Sequence, residues 1–363
     1  MRRFCRGLTP LLLTIMLVLA GCSDSPAPVS SGDNDEKPSY PVTWRFALEE
    51  IEGSVQHRYA LEFKDRIERI SDGNILVDVF PYGSIGTSLQ LTDLAREGSV
   101  HLAFASPGHL ANVIPEVGVF TLHYLLSDDE EVNRGVLASD DLKQLFHEPY
   151  EEQGLKLHGF VPEGWMVWTA NKPLRSPADF DGLTIRTMTS DIAEETYKTY
   201  GATTSQVPFS QVYSDLQLRR IDGQANPVFA IEEMGFYEVQ GVMTFARPAQ
   251  FVTSVVSNTS WFDALPEDQK LWLEDAMDEI APLAYEVQTE LNASRLDTIK
   301  ENSSIRVVEL TEEERDRFRE ASLPARKAYI RMAGERGAAI LDQLLTMVST
   351  TESAIPAKDT TAQ

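Results

Sequence analysis

Cysteine is nearly absent from this chain: of 363 residues only Cys5 and Cys22 carry a thiol. Both lie near the start, so the body of the chain has no disulfide framework, no cysteine zinc site and no thiol nucleophile. Positive charge is scarce too. Lysine and arginine number 32 against 56 aspartates and glutamates, a formal net charge of −24. Such a surface repels a phosphate backbone and anionic headgroups, which excludes nucleic-acid binding and attachment to lipid through a basic patch. Catalytic motifs are also missing. There is no HExxH, GxSxG, Walker A or GxGxxG, so no metal, nucleotide or other cofactor is expected. The six histidines (His57, His101, His109, His123, His147 and His158) are scattered, none paired with another at metal-ligand spacing. The run Asp128-Asp129-Glu130-Glu131 lacks the interleaving of a calcium loop and reads as a solvated helix start.

Long apolar runs are limited to one. Leu11 to Ala20 follows Arg2, Arg3 and Arg6, a signal-peptide pattern too short to span a bilayer. It ends in Leu19-Ala20-Gly21-Cys22, which looks like a bacterial lipobox. The reading is a signal peptide over residues 1–21 and a lipidated Cys22. Residues 22–42, rich in Ser, Pro, Asp and Gly, are then a disordered tether holding the domain off the membrane. An ordinary signal peptide with a chance cysteine is the alternative.

What is present is an alternation of strand-like and helix-like segments. Thr43–Leu48 and Ile75–Phe80 read as strands, and Val55, Tyr59, Phe63 and Ile67 recur at every fourth position as one helix face. A helix over 87–97 and a strand over 100–105 complete a βαβαβ rhythm, which implies an α/β lobe with a largely parallel sheet. Ser127 with Glu130 and Thr311 with Glu314 fit capping boxes, and Ser176-Pro177 opens a short helix. From Pro266 to about Lys300 runs a long helical pattern with apolar positions at Leu271, Ala276, Ile280, Leu283, Val287 and Leu291. At 1.5 Å per residue it is about 45 Å long, enough to lie across two lobes.

The polar residues that stand out form a recognition set. Leu183 and Ile185 alternate with Thr184 and Arg186 as a short buried strand, and a buried arginine demands an anionic partner. Its fork matches a carboxylate. On these residues alone, a structural ion pair and a ligand clamp remain equal readings. Asn226 can donate and accept, with Pro227 fixing the backbone beside it. Phe209, Phe229, Trp165 and Trp168 are candidate apolar walls, with core packing as the alternative. Glu49-Glu50 closes a strand where α/β sheets present ligand contacts.

The stretch Asn171-Lys172-Pro173-Leu174 through Ser176-Pro177-Ala178-Asp179-Phe180-Asp181-Gly182-Leu183-Thr184-Ile185-Arg186 resembles TRAP-transporter substrate-binding proteins. Val207-Pro208-Phe209, Gln211-Val212-Tyr213 and Asp222-Gly223-Gln224-Ala225-Asn226-Pro227 are similar to further segments of that family. The resemblance implies a two-lobed, periplasmic-binding-protein-like α/β fold with a long lobe-spanning helix. It implies lobe closure over a small organic acid, delivered to membrane subunits of a permease, and no enzyme activity. Arg186 falls on the family's carboxylate-binding arginine and Asn226 on a ligand-contacting asparagine. The implied division is lobe I over 43–163 and 252–291, lobe II over 164–251 and 292–348, and a flexible tail over 349–363. A sensory or structural lipoprotein on the same fold, or an envelope hydrolase, is the alternative.

Within the family, Trp44 to Gly53, Pro162-Glu163-Gly164 and Arg186-Thr187-Met188-Thr189 look like the ectoine and hydroxyectoine binders. That implies Glu50 for the positive end of a zwitterion and Arg186 for its carboxylate. There are departures: His109 stands in place of a phenylalanine, Phe209 in place of a tryptophan, and Ala225 in place of a frequent glutamate. No second arginine follows near Gly164-Trp165-Met166, which disfavours dicarboxylates and sialic-acid-like ligands.

Overall fold

A computed structural model describes residues 41–355. The signal segment, Cys22 and nearly all of the expected tether lie outside the described residues. Two sheets organise the rest. The first has the order β2 (Ile75–Phe80), β1 (Val42–Ala47), β3 (Leu102–Ala105), β10 (Gln250–Asn258), β4 (Leu155–Trp165). The second has the order β11 (Arg306–Glu309), β9 (Val242–Phe245), β5 (Val167–Ala170), β8 (Gly223–Asn226), β6 (Thr184–Thr187), β7 (Thr203–Gln206). The sheets are mixed rather than largely parallel. β1, β2 and β3 run parallel, but β10 is antiparallel to both β3 and β4.

The departure comes from the lobe crossings. β4 leads straight into β5, and β9 returns into β10, so two antiparallel segments pass side by side from sheet to sheet. The Met166 N–H donates to the Ala249 carbonyl at 2.9 Å between them. Gly164, at the end of β4, has φ +120°, and a side chain there would collide with Asn292 of the long helix. Only glycine meets both demands.

The first lobe follows its hydrophobic pattern. On the helix Val55–Ile70 the side chains of Val55, Tyr59, Phe63 and Ile67 are buried, and Ser54 caps it by accepting the His57 N–H. Burying each such large side chain contributes about 1.5–3 kcal/mol. Thr311 and Glu314 form the expected capping box. At the helix Glu130–Leu137 the cap is Asp129 instead, and Ser127 accepts the Asp129 N–H. The acids here are more than a solvated start: Asp128 pairs with Arg315 and Arg319.

Two long helices tie the lobes together. Glu267–Asn302 has 36 residues, about 54 Å at 1.5 Å each. Ala276, Ile280 and Leu291 pack in the core of the first lobe, whereas Ile299 joins that of the second. Leu271, read as an apolar core position, is exposed. The last helix, Glu312–Ala354, is broken at Gly334 (φ 69°). Phe318 packs with the second sheet's core, but Tyr329, Ile340, Leu344 and Val348 pack with the first. This corrects the assignment of 292–348 to lobe II. Of the expected tail over 349–363, the part to Ala354 continues the helix, and residues 356–363 lie outside the described residues. No helix among the described residues is long and apolar enough to cross a membrane.

Candidate ligand-binding site

The ends of β1, β3, β6 and β8 converge where the sheets face each other, and the side chains they carry line one pocket of about 370 Å³. Arg186 projects from β6 and is 4% exposed. Its Nε donates to the Val207 carbonyl at 3.1 Å, and its guanidinium lies 5.9 Å from the Phe209 ring centroid. Burial lowers its pKa to about 10, and the nearby groups that favour its charge are Tyr82 and Tyr197, not a carboxylate. The choice left open by the sequence is thereby narrowed: no acid among the described residues pairs with Arg186. Asn226, at the end of β8, donates from Nδ2 to Gln224 Oε1 and lines the same pocket.

Opposite in charge stand the acids that end β1. Glu49 accepts the Ser106 N–H at 3.0 Å and donates its own N–H to Gln56 Oε1 at 2.8 Å. Burial pushes its carboxyl up to about 8. Glu50 is also buried, and its pKa is raised well above the usual value by burial and then by the charge of Glu163. Both glutamates line the pocket with Arg186. One buried guanidinium and two acids thus face one small space.

Aromatic and neutral groups complete the walls. Phe209 packs edge-on against Tyr82 at 5.9 Å and Phe236 at 5.8 Å. His109 lines the pocket, and burial together with the Arg186 charge lowers its pKa to about 4, so it is neutral near pH 7. Its Nδ1 bonds Thr189 Oγ1 at 2.7 Å across the cleft.

The remaining aromatic candidates lie elsewhere. Trp165 is not among the lining residues; its indole N–H donates to Glu130 Oε1 at 2.9 Å, and Tyr285 bonds the other oxygen. Phe229 is fully buried in the first lobe's core cluster, and Trp168 packs in the core of the second. Phe229 and Trp168 thus pack in cores, while Trp165 is half-buried beside Glu130. Residues that sequence reasoning missed include Ser106, Met188 and Phe251. Ser106 follows β3 at the sheet edge, a position that could have marked it. Nothing in the sequence marks Phe251.

A second chamber of about 600 Å³ shares Arg186, Met188, Asn226 and Phe251 as a partition and extends toward Met166, His123 and Tyr197. It contains no carboxylate, and Arg186 is its one cation.

The profile of the family described as bacterial extracellular solute-binding protein, family 7 (DctP), matches residues 46–332. The ectoine-binding periplasmic protein TeaA of Halomonas elongata is 36% identical over 84% of this chain and 89% of its own length. The ectoine/5-hydroxyectoine-binding periplasmic protein UehA of Ruegeria pomeroyi is 35% identical over 83% of this chain and 89% of its own. Among solved structures, the apo open form of a TRAP periplasmic solute-binding protein from Marinobacter aquaeolei VT8 is 56% identical, with a TM-score of 0.80 over 84% of this chain and all of that one. The chain belongs to family 7 of the bacterial extracellular solute-binding proteins, the periplasmic receptors of TRAP transporters.

Proposed function

We propose that this receptor captures a small zwitterionic carboxylate of the ectoine type between its lobes and presents it to the membrane subunits of its permease. The observation that carries the reading is Arg186: buried, without an acid partner, and lining one pocket with Glu49 and Glu50. In this reading Arg186 and Asn226 take the ligand carboxylate, Glu50 takes the positive group, and Phe209 and His109 form walls. Two relatives named for ectoine support the ligand class. The single guanidinium supports one carboxylate rather than two, since a second buried anion would lack a partner.

The test is a thermal-shift screen of ectoine, other zwitterions, monocarboxylates and dicarboxylates. A ligand at a hundredfold excess over its Kd adds about 2.7 kcal/mol of stability. A shift with ectoine-like zwitterions is expected, and a shift with dicarboxylates alone would overturn the reading. Retention at the membrane through a lipidated Cys22 belongs to the same proposal. Mass spectrometry of the mature N-terminus checks it, and an unmodified cysteine or a different cleavage site would remove it.

A further inference from the structure

Behind Glu50 stands a third acid. Glu163 projects from β4, is 0% exposed, and accepts from Gln56 Nε2 at 3.0 Å and from the Thr253 hydroxyl, both on its Oε1. Its Oε2 is fully buried and receives no donor from the surrounding polar groups. Gln56 ties Glu163 to Glu50, donating its side-chain N–H to Glu163 and its backbone N–H to Glu50 Oε2 at 3.5 Å, and the two carboxyls act directly on each other. Two facing carboxylates have four lone-pair oxygens and no hydrogen between them, so the contact is a hydrogen bond only if one proton is shared. Two buried like charges in direct contact cannot both ionise.

We propose that Glu163 is a specificity-determining residue: it holds one proton in common with Glu50, and the positive group of the ligand enters by replacing that proton. This rests on the zwitterion reading above, in which Glu50 faces the ligand's cation. The exchange balances: one proton leaves for solvent and one positive group takes its place, so the charge at the glutamate end is unchanged, while the ligand carboxylate offsets Arg186. A neutral group cannot make this exchange. An alcohol or amide would meet a carboxylic acid, while a cation meets a carboxylate. Glu163 therefore selects for charge without touching the ligand.

The neighbouring charges reinforce the effect. Glu49, next to Glu50 in the turn after β1, lines the pocket and is itself raised to about 8. Glu233, on the helix Val228–Glu233, is raised to about 7 by burial, with Arg295 countering and Glu232 and Glu163 adding to the rise. Arg295 is engaged with Glu232 at 3.2 Å. Arg186 and His109 complete the charged and titratable lining, and His109 is neutral near pH 7. Glu163 lies on β4 and Glu49 and Glu50 follow β1, both strands of the first sheet, so the shared proton is in place before the lobes close. Below the ordinary histidine range, closure over His109 also releases a proton, so the measurement belongs at about pH 7.5, above that titration.

The experiment has two arms. Infrared spectra of the ligand-free protein at about pH 7.5 should show, over the contribution of Glu49, a protonated-carboxyl band that shrinks in Glu50→Gln and in Glu163→Gln. Calorimetry with ectoine in buffers of different ionisation enthalpy should count about one proton released per ligand, and clearly less in Glu163→Gln. Wild-type affinity should rise about tenfold per pH unit while the pair stays protonated, with a flatter profile in Glu163→Gln. Ectoine binding with no proton release and no such band would overturn the shared proton and leave the zwitterion reading standing. Such a band with no ectoine binding at any pH would overturn the zwitterion reading and leave the shared proton standing. If Glu163→Gln does not fold, the change of the band in Glu50→Gln and the wild-type proton count decide alone.

Discussion

His109 Nδ1 and Thr189 Oγ1 lie 2.7 Å apart and join the two lobes across the ligand pocket. One partner follows β3 of the first sheet and the other follows β6 of the second, so the bond exists only when the cleft is shut. Thr189→Val removes it and leaves a buried ring nitrogen unpaired. A net hydrogen bond is worth about 1 kcal/mol, so affinity should fall about fivefold, mostly through faster release. Stopped-flow dissociation kinetics check this, and an unchanged off-rate would remove the latch from the account.

Gly108 is the second closure contact. A Cβ on it would overlap the Met188 side chain from its Cβ outward, so rotating the tip of Met188 does not relieve the clash. Gly108→Ala should therefore hinder closure while sparing each lobe. Overpacking typically costs about 1–3 kcal/mol. That cost is expected in ligand affinity rather than in the melting temperature of the free protein. Small-angle scattering should show a ligand-bound variant that stays more open than wild type.

Much of this arrangement is legible in the sequence. The helix face of Val55, Tyr59, Phe63 and Ile67 follows from spacing alone, because a single buried stripe has a fixed period. Arg186, Asn226 and Glu50 lie at strand ends, where α/β sheets gather ligands. The places of Trp165, beside Glu130, and Phe229, in a core cluster, were not legible, because an aromatic residue near a site motif carries no sign of which way it points. The mixed sheets and the return of the last helix to the first lobe were hidden for another reason. They depend on which distant segments pair, and periodicity reports only on local burial.

The chamber beyond Arg186 gives a test of selectivity. Met166 lines it without contributing charge. Met166→Arg would set a second guanidinium near Arg186, at a cost of about 3 kcal/mol for an unpaired buried charge. The variant should be less stable when empty. It should gain a thermal shift with succinate that wild type lacks, as the second carboxylate compensates the added charge. A variant equally indifferent to succinate would show that the missing arginine does not set the preference.

The raised acids also make an expectation for stability. The folded pKa of Glu49, about 8, lies above the usual 4.5. Its contribution is therefore fully present below the ordinary carboxylate range and is lost as pH rises through about 8. The loss is on the order of 5 kcal/mol. His123 and His158, each lowered to about 3 by burial, act oppositely: their contribution is present above about pH 6.5 and is lost on acidification toward 3. Comparing ligand-free wild type with Glu49→Gln isolates the glutamate. Between about pH 5 and 8 the wild type should lose stability relative to the variant, as read from denaturant midpoints. Parallel profiles would show that Glu49 titrates normally.

The measurement closest to the central claim is calorimetric titration of wild type and Arg186→Ala with the zwitterion that gives the largest thermal shift. Removing one partner of a buried charge pair costs about 3–5 kcal/mol, so affinity should fall at least a hundredfold while the free protein stays folded. Unchanged affinity in a folded Arg186→Ala would contradict the account, because the ligand carboxylate would then be held by something other than the one buried cation in this pocket.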